Sequence, residues 1–303
     1  MRDLTKKSAL LAAFLLGMTG GGFANNLNAR ADGIQTLDVA EQFSISVSNI
    51  LLHACYTTMG LGQEEIDITL AEIASVDAGI DALKNGDEAR GILPAKAHGV
   101  RRAIARFEDD WANYSGFARV AARGELPKPY LKSLHQHYKK ALDSAEGVFK
   151  RTAKVYSLHR VTPFQSGTLS NLTHIAAEGG LIAADHCLIS LGIDVDQAKE
   201  EIRIAKADVI DRLDLAIRGD DMRKVLPAPN SVTDELTCVQ VDFEVLREHV
   251  EPVVDDGVIP TVDDVLALRA YANDMHDSAI AALHAAEAHL ADRPAPAGHC
   301  ALS

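Results

Sequence analysis

Leu191-Gly192-Ile193-Asp194 opens a phrase that runs through an amphipathic stretch and closes on Gly219-Asp220 and Leu226-Pro227-Ala228. The same phrase stands earlier as Leu61-Gly62, Gly86-Asp87 and Leu93-Pro94-Ala95. Five residues separate Asp87 from Leu93, as five separate Asp220 from Leu226. The offset is 130 at the Leu-Gly landmark and 133 at the Gly-Asp landmark. A spacing shared over this length marks an internal duplication, and a duplication sets the architecture.

The stretches between the landmarks are helical. Val100, Ile104, Phe107, Trp111, Tyr114 and Ala118 alternate steps of four and three, which is one face of a helix. Val232, Leu236, Val239, Phe243, Leu246 and Val250 repeat that seam 132 residues later. Ile66, Leu70, Ile73, Val76, Ile80 and Leu83 give another face, and Ile202, Ala205, Val209, Leu213 and Ile217 its partner in the second copy. Leu131, Leu134, Tyr138, Ala141, Ala145 and Val148 form a fourth seam, and Asp277-Ser278-Ala279 repeats Asp143-Ser144-Ala145. Gly60, Gly62 and Asn85-Gly86 are helix stops, and Leu93-Pro94 is read as the start of the third helix. The expected fold is all-α, two tandem antiparallel four-helix bundles. Repeat 1 is expected over 37–160 and repeat 2 over 164–292, with the boundary near Pro163 and Gly167. A flexible N-terminus over 25–36 and a disordered tail over 293–303, which holds Pro294 and Pro296, complete the division.

Composition agrees. Aromatic residues make up only 5% of the 303-residue chain while alanine is frequent, which favours helices over sandwiches or barrels. A net charge of -13 repels phosphate backbones and anionic lipid, so neither nucleic acid nor membrane surface is an expected partner. Arg2, Lys6 and Lys7 precede an apolar run from Ala9 to Met18, too short to span a bilayer. This reads as a signal peptide over 1–24, cut after Ala24, with Ala29-Arg30-Ala31 as the second choice. An uncleaved anchor is the alternative. A periplasmic or secreted chain is expected, with no membrane insertion of the mature part. Cys55, Cys187, Cys238 and Cys300 then permit two disulfides in any of three pairings. The alternative for Cys55 and Cys187 is that they are small buried apolar residues.

The order of these landmarks resembles the N-terminal sensor domain of type IV pili methyl-accepting chemotaxis transducers, the PilJ-type domain, in two copies. The shared features are a first helix ending in a Leu-Gly turn, a second ending in Gly-Asp, then Leu-Pro and a helix with a central aromatic residue. The resemblance implies a non-enzymatic sensory module that binds a small molecule or meets a membrane-bound signalling partner. Related anion sensors hold their ligand with arginines on the first helix. The corresponding stretches here, 43–52 and 173–182, contain neither arginine nor lysine, so a guanidinium clamp for nitrate does not transfer. The polar residues at those positions are Ser46, Ser48 and Asn49 in the first copy and His174 and Glu178 in the second. They are the candidate ligand-binding residues, and the plain alternative is that they face solvent. A second expectation is a structural or interaction protein of the cell envelope, pilus-associated, with a decayed ligand site.

No catalytic signature appears: GxSxG, HExxH, P-loop and GxGxxG are all missing. Not an enzyme, no cofactor and no metal is therefore the expectation. His135 and His137, two apart, face different sides of a helix, and the twelve histidines read as solvated or satisfied surface groups. Asp109-Asp110 reads as a solvated helix edge. Glu64-Glu65 and Glu200-Glu201 lie in first helical turns, where negative charge favours the helix dipole.

Overall fold

The computed structural model describes residues 28–123, 128–157 and 162–290, together with Pro294, Gly298 and Cys300. The proposed signal peptide, 1–24, and residues 25–27 lie outside them, as does most of 291–303. Among the described residues there are eight α-helices: α1 Asn28–Thr58, α2 Gln63–Asn85, α3 His98–Ala121, α4 Lys128–Ser157, α5 Pro163–Leu191, α6 Val195–Arg218, α7 Asn230–Asp255 and α8 Val262–Leu290. There are no strands among them, only isolated bridges, and the chain is all-α.

The seams are the buried faces. All six residues of the Val100–Ala118 series are buried on α3, and all six of the Val232–Val250 series on α7. Burying a side chain of this size stabilises by roughly 1.5–3 kcal/mol. Two seam positions differ from the periodicity: Leu70 and Ile217 are exposed, and their neighbours Thr69 and Ala216 take the inward place. The helix contacts are consistent with two bundles: α1 meets α2 and α4 while α3 meets α4, and α5 meets α6 and α8 while α7 meets α8. Contacts between α1 and α2 run in opposite residue order, Ser46 with Glu72 and His53 with Glu65. Contacts between α6 and α7 do the same, Arg203 with Val254 and Lys206 with Glu251.

The repeated phrase builds one corner twice. Asp87 accepts from the Arg90 N–H and bridges to Ile92; Asp220 accepts from the Arg223 N–H and bridges to Val225. The Leu93 N–H donates to the Thr36 hydroxyl, and the Leu226 N–H to Thr168. Gly86 and Gly219 have φ of +83° and +73°, and a Cβ on either would stand 2.9 or 2.6 Å from the Cδ of Pro94 or Pro227. Both demands select glycine. This corner corrects the start of the third helix: the backbone is extended at Ala97, and α3 begins at His98, not at Leu93-Pro94.

Two further expectations are corrected. The segment read as a flexible N-terminus, 25–36, is helical from Asn28, where Ala29, Arg30 and Ala31 are strong helix formers. Gly167 does not break the chain. It lies inside α5, and a Cβ there would stand 2.1 Å from the Lys224 carbonyl oxygen of the second corner. The tail read as disordered lies mostly outside the described residues; at Cys300 the N–H donates to the Glu235 carboxylate and the sulfur is bonded to Cys238.

The two copies meet along α1 and α5, and one continuous hydrophobic core runs through both. Ser48 and Asn49 face Gly180, and Cys55 is disulfide-bonded to Cys187. Residue order rises together on both helices, so they lie parallel. The disulfide joins positions 132 apart, the repeat offset itself. Equivalent positions therefore touch each other, as they do across a two-fold axis.

Candidate functional site

None of the five candidate residues is exposed, which overturns the alternative that they face solvent. The Ser46 hydroxyl donates to Glu72 at 2.6 Å, and Asn49 Nδ2 donates to the same carboxylate at 3.3 Å. Ser48 is fully buried and shares a 3.1 Å hydrogen bond with the Tyr138 hydroxyl of α4. His174 Nε2 lies 2.9 Å from Glu146 of α4, while its Nδ1 donates to the Ser170 carbonyl. Glu178 is largely buried and its Oε2 has no hydrogen-bond partner. Burial and the nearby Asp208 push its pKa up to about 7. Burial also raises the Glu146 carboxyl, but His174 and Lys150 outweigh it and hold that group down at about 2. The five thus fall into two groups, one around Glu72 and one around Glu146 and Glu178. Tyr138, in the field of Glu178, links them through Ser48. An apolar cleft of about 280 Å³ lies near Thr36 and Leu93, at the other end of α1 from Cys55, and involves none of the five.

Near Cys55 and Cys187 the structure brings together charges that the linear pattern did not flag. The buried positions of α4 and α8 coincide at an offset of 134: Leu131 with Val265, Leu134 with Leu268, Ala145 with Ala279. His135 therefore matches Arg269. On α1 and α5, at the offset of 132, His53 matches Asp185.

At the first of these places the Arg269 guanidinium pairs with Glu65, which is wholly buried, and lies 5.4 Å from the centre of the Tyr56 ring. His53 Nδ1 is 2.6 Å from the other Glu65 oxygen. At the second, His135 Nε2 lies 2.8 Å from Glu201 and 3.4 Å from Asp185, and its Nδ1 is 3.5 Å from Asp194. Lys132 pairs with Asp194 at 2.6 Å. The His135 and Asp185 side chains are fully buried, and neither Asp185 oxygen has a hydrogen bond. Burial favours the neutral imidazole, but Asp185 and Glu201 outweigh it and lift His135 to about 10. Burial lifts Asp185 to about 7, while hydrogen bonding to His135 leaves Glu201 below its usual range. Both the imidazole and Asp185 hold their proton more tightly than in water.

These residues correct the reading of the histidines as surface groups: His53, His135 and His186 are all buried. His186 is held down at about 4, first by burial. Glu65 sits in the first turn of α2 as expected, but α6 starts at Val195, so Glu200 and Glu201 lie in its second turn; Glu65 and Glu201 both carry contacts between copies. The signal that finds them is the match of His135 to Arg269 at a buried seam position, a place where a charged side chain needs a partner.

Among the described residues no helix is long and apolar enough to cross a membrane. No protein-family model, no curated protein and no solved structure matches this chain.

Proposed function

We propose that the chain is an exported, non-enzymatic helical module of the sensory kind, related in plan to the PilJ-type domain. It binds a small ligand or a membrane-bound signalling partner. One observation carries this reading. None of the polar side chains at the ligand-motif positions of both first helices is exposed, and Ser48, Asn49 and His174 lie where one copy meets the other. Burying polar groups costs stability unless they are partnered, and Glu178 is buried with a bare oxygen at that contact. The two disulfides support export, because such bonds persist in oxidising compartments.

The charge of the seam selects the ligand class. Glu146, Glu178 and Asp185 outnumber the cations Lys150 and Arg212 along it, and the first-helix stretches 43–52 and 173–182 carry no lysine or arginine. A small cation or a neutral hydrogen-bonding molecule suits it, and nitrate does not. Thermal melting of the disulfide-bonded chain against small amines, neutral metabolites and inorganic anions tests this. A ligand at one hundred times its dissociation constant adds about 2.7 kcal/mol. Stabilisation by an amine or neutral compound supports the reading. A cooperative melt that moves only with nitrate or another anion refutes the ligand class, and one that moves with nothing refutes small-molecule sensing.

A second reading, an envelope interaction protein associated with pili, is favoured by a different observation. Val258, Ile259, Val262 and Leu266 are exposed together around the α7–α8 turn, and clustered exposed apolar side chains are typical of contact surfaces. Ile259→Asp, with recovery of envelope partners by crosslinking, tests it; identical partners with and without the substitution would rule this surface out.

A further inference from the structure

The two equivalent places beside the disulfide carry opposite balances of charge. Arg269 brings a permanent cation to Glu65. In its place in the other copy stands His135, and three carboxylates, Asp185, Asp194 and Glu201, converge on it. Lys132 reaches Asp194, and Lys139 acts on Glu201 from further out. One Nε2–H proton serves one close acceptor, Glu201 at 2.8 Å. Protonating the imidazole therefore still leaves the wholly buried Asp185 without a hydrogen bond on either oxygen.

The geometry is that of a ligand set. One ring nitrogen and one oxygen from each of Asp185 and Glu201 all lie within 4.8 Å of one another. Ligand atoms 2.0–2.2 Å from a tetrahedral zinc ion stand about 3.3–3.6 Å apart, against 2.8 and 3.4 Å here from His135 Nε2 to Glu201 and Asp185. Small side-chain shifts connect the two arrangements. The other ring nitrogen of His135 faces the Asp194 carboxylate at 3.5 Å. Metal-bound imidazoles use that outer carboxylate to fix tautomer and ring orientation. Glu201 is 22% exposed and gives a route from solvent.

We infer that His135, Asp185 and Glu201 bind a divalent cation of the zinc class, with Asp194 as the positioning residue behind the imidazole. An imidazole with two carboxylates suits zinc and its first-row neighbours better than calcium or magnesium, which favour all-oxygen sets. The ion bridges the copies, because His135 belongs to α4 and the other ligands to α5 and α6. The inference does not rest on the sensory reading, since an interaction protein would hold a structural ion there equally well.

The test uses the untagged, disulfide-bonded chain, stripped with chelator and titrated with Zn²⁺ in a calorimeter, followed by dialysis and metal analysis. Co²⁺ is used in parallel for its visible absorption. The wild type is expected to retain one equivalent of Zn²⁺ in preference to Mg²⁺ and Ca²⁺. Asp185→Asn and Glu201→Gln each weaken binding at least tenfold and abolish the Co²⁺ spectrum. Asp110→Asn, on α3, changes neither. If Asp185→Asn does not fold, the comparison is carried by Glu201→Gln, at a partly exposed position. No retention by the wild type overturns the inference. Equal retention by the wild type and the two ligand variants also overturns it, and shows an adventitious ion only.

Discussion

The Arg269 place and the His135 place are built on equivalent helices, yet they meet the same physical demand differently. Both must neutralise carboxylates buried where one copy meets the other. Arg269 does so with a guanidinium that stays charged at any ordinary pH and matches a carboxylate edge to edge. His135 offers an imidazole that can give a proton, take one or ligate a metal, and it faces three carboxylates instead of one. A duplicated scaffold thus preserves backbone and core while one position sets how the buried carboxylates are met.

The largest test removes the tie between the two places. The Cys55→Ala/Cys187→Ala chain loses a crosslink that spans 132 residues. The loop-entropy account puts the loss at about 5 kcal/mol, read by urea unfolding. If hydrogen exchange along α1 and α5 is unchanged in that chain, the flanking charge sites alone hold the register. Next comes Arg269→Met, which leaves Glu65 buried without its counter-ion and is expected to cost about 4 kcal/mol. A loss under about 1 kcal/mol would mean that the Arg269 place is not neutralised as described.

The next test is a matter of pH. Ser46 and Glu178 are equivalent positions, one neutral and one acidic. Burial lifts Glu178 from 4.5 to about 7, so the folded chain keeps a proton that the unfolded chain releases. The stability this contributes is complete below about pH 4.5 and is lost as pH rises to 7. Glu178→Gln should therefore stabilise by up to about 3 kcal/mol at pH 8 and do nothing at pH 4; guanidinium melts at both pH values decide it. The smallest effect concerns the corners. Thr36→Ala and Thr168→Ala should each cost about 1 kcal/mol, and unequal losses would show that the copies have drifted apart even there.

The helices were legible because seam and corner obey short-range rules. Val100 to Ala118 bury one face whatever lies opposite, and Gly86 is demanded by the Pro94 ring eight residues on. The extended start before α3 was not legible, because a Leu-Pro pair suits a first helical turn as well as the extended chain that follows the Asp87–Ile92 bridge. The candidate site was legible only as positions. Ser48 could be placed on the first helix, but its inward direction depends on Tyr138, ninety residues away in sequence. Glu65 and Glu201 read as ordinary first-turn acids because their partners, Arg269 and His135, lie on helices of the other copy. Periodicity describes a helix and its own neighbours, not the side chains that a second bundle brings against it.

The disulfide has a further consequence for descent. A bond between equivalent positions needs only one cysteine per copy. Two separate chains of the single-bundle length, each presenting Cys55 on the same face of its first helix, could join tail-beside-tail by that one residue. A covalent homodimer of an undoubled ancestor and the present tandem chain would then share the same central seam. Fusing the genes would have freed each half to change alone, and His135 in one copy where the other has Arg269 is the kind of asymmetry that no homodimer can hold.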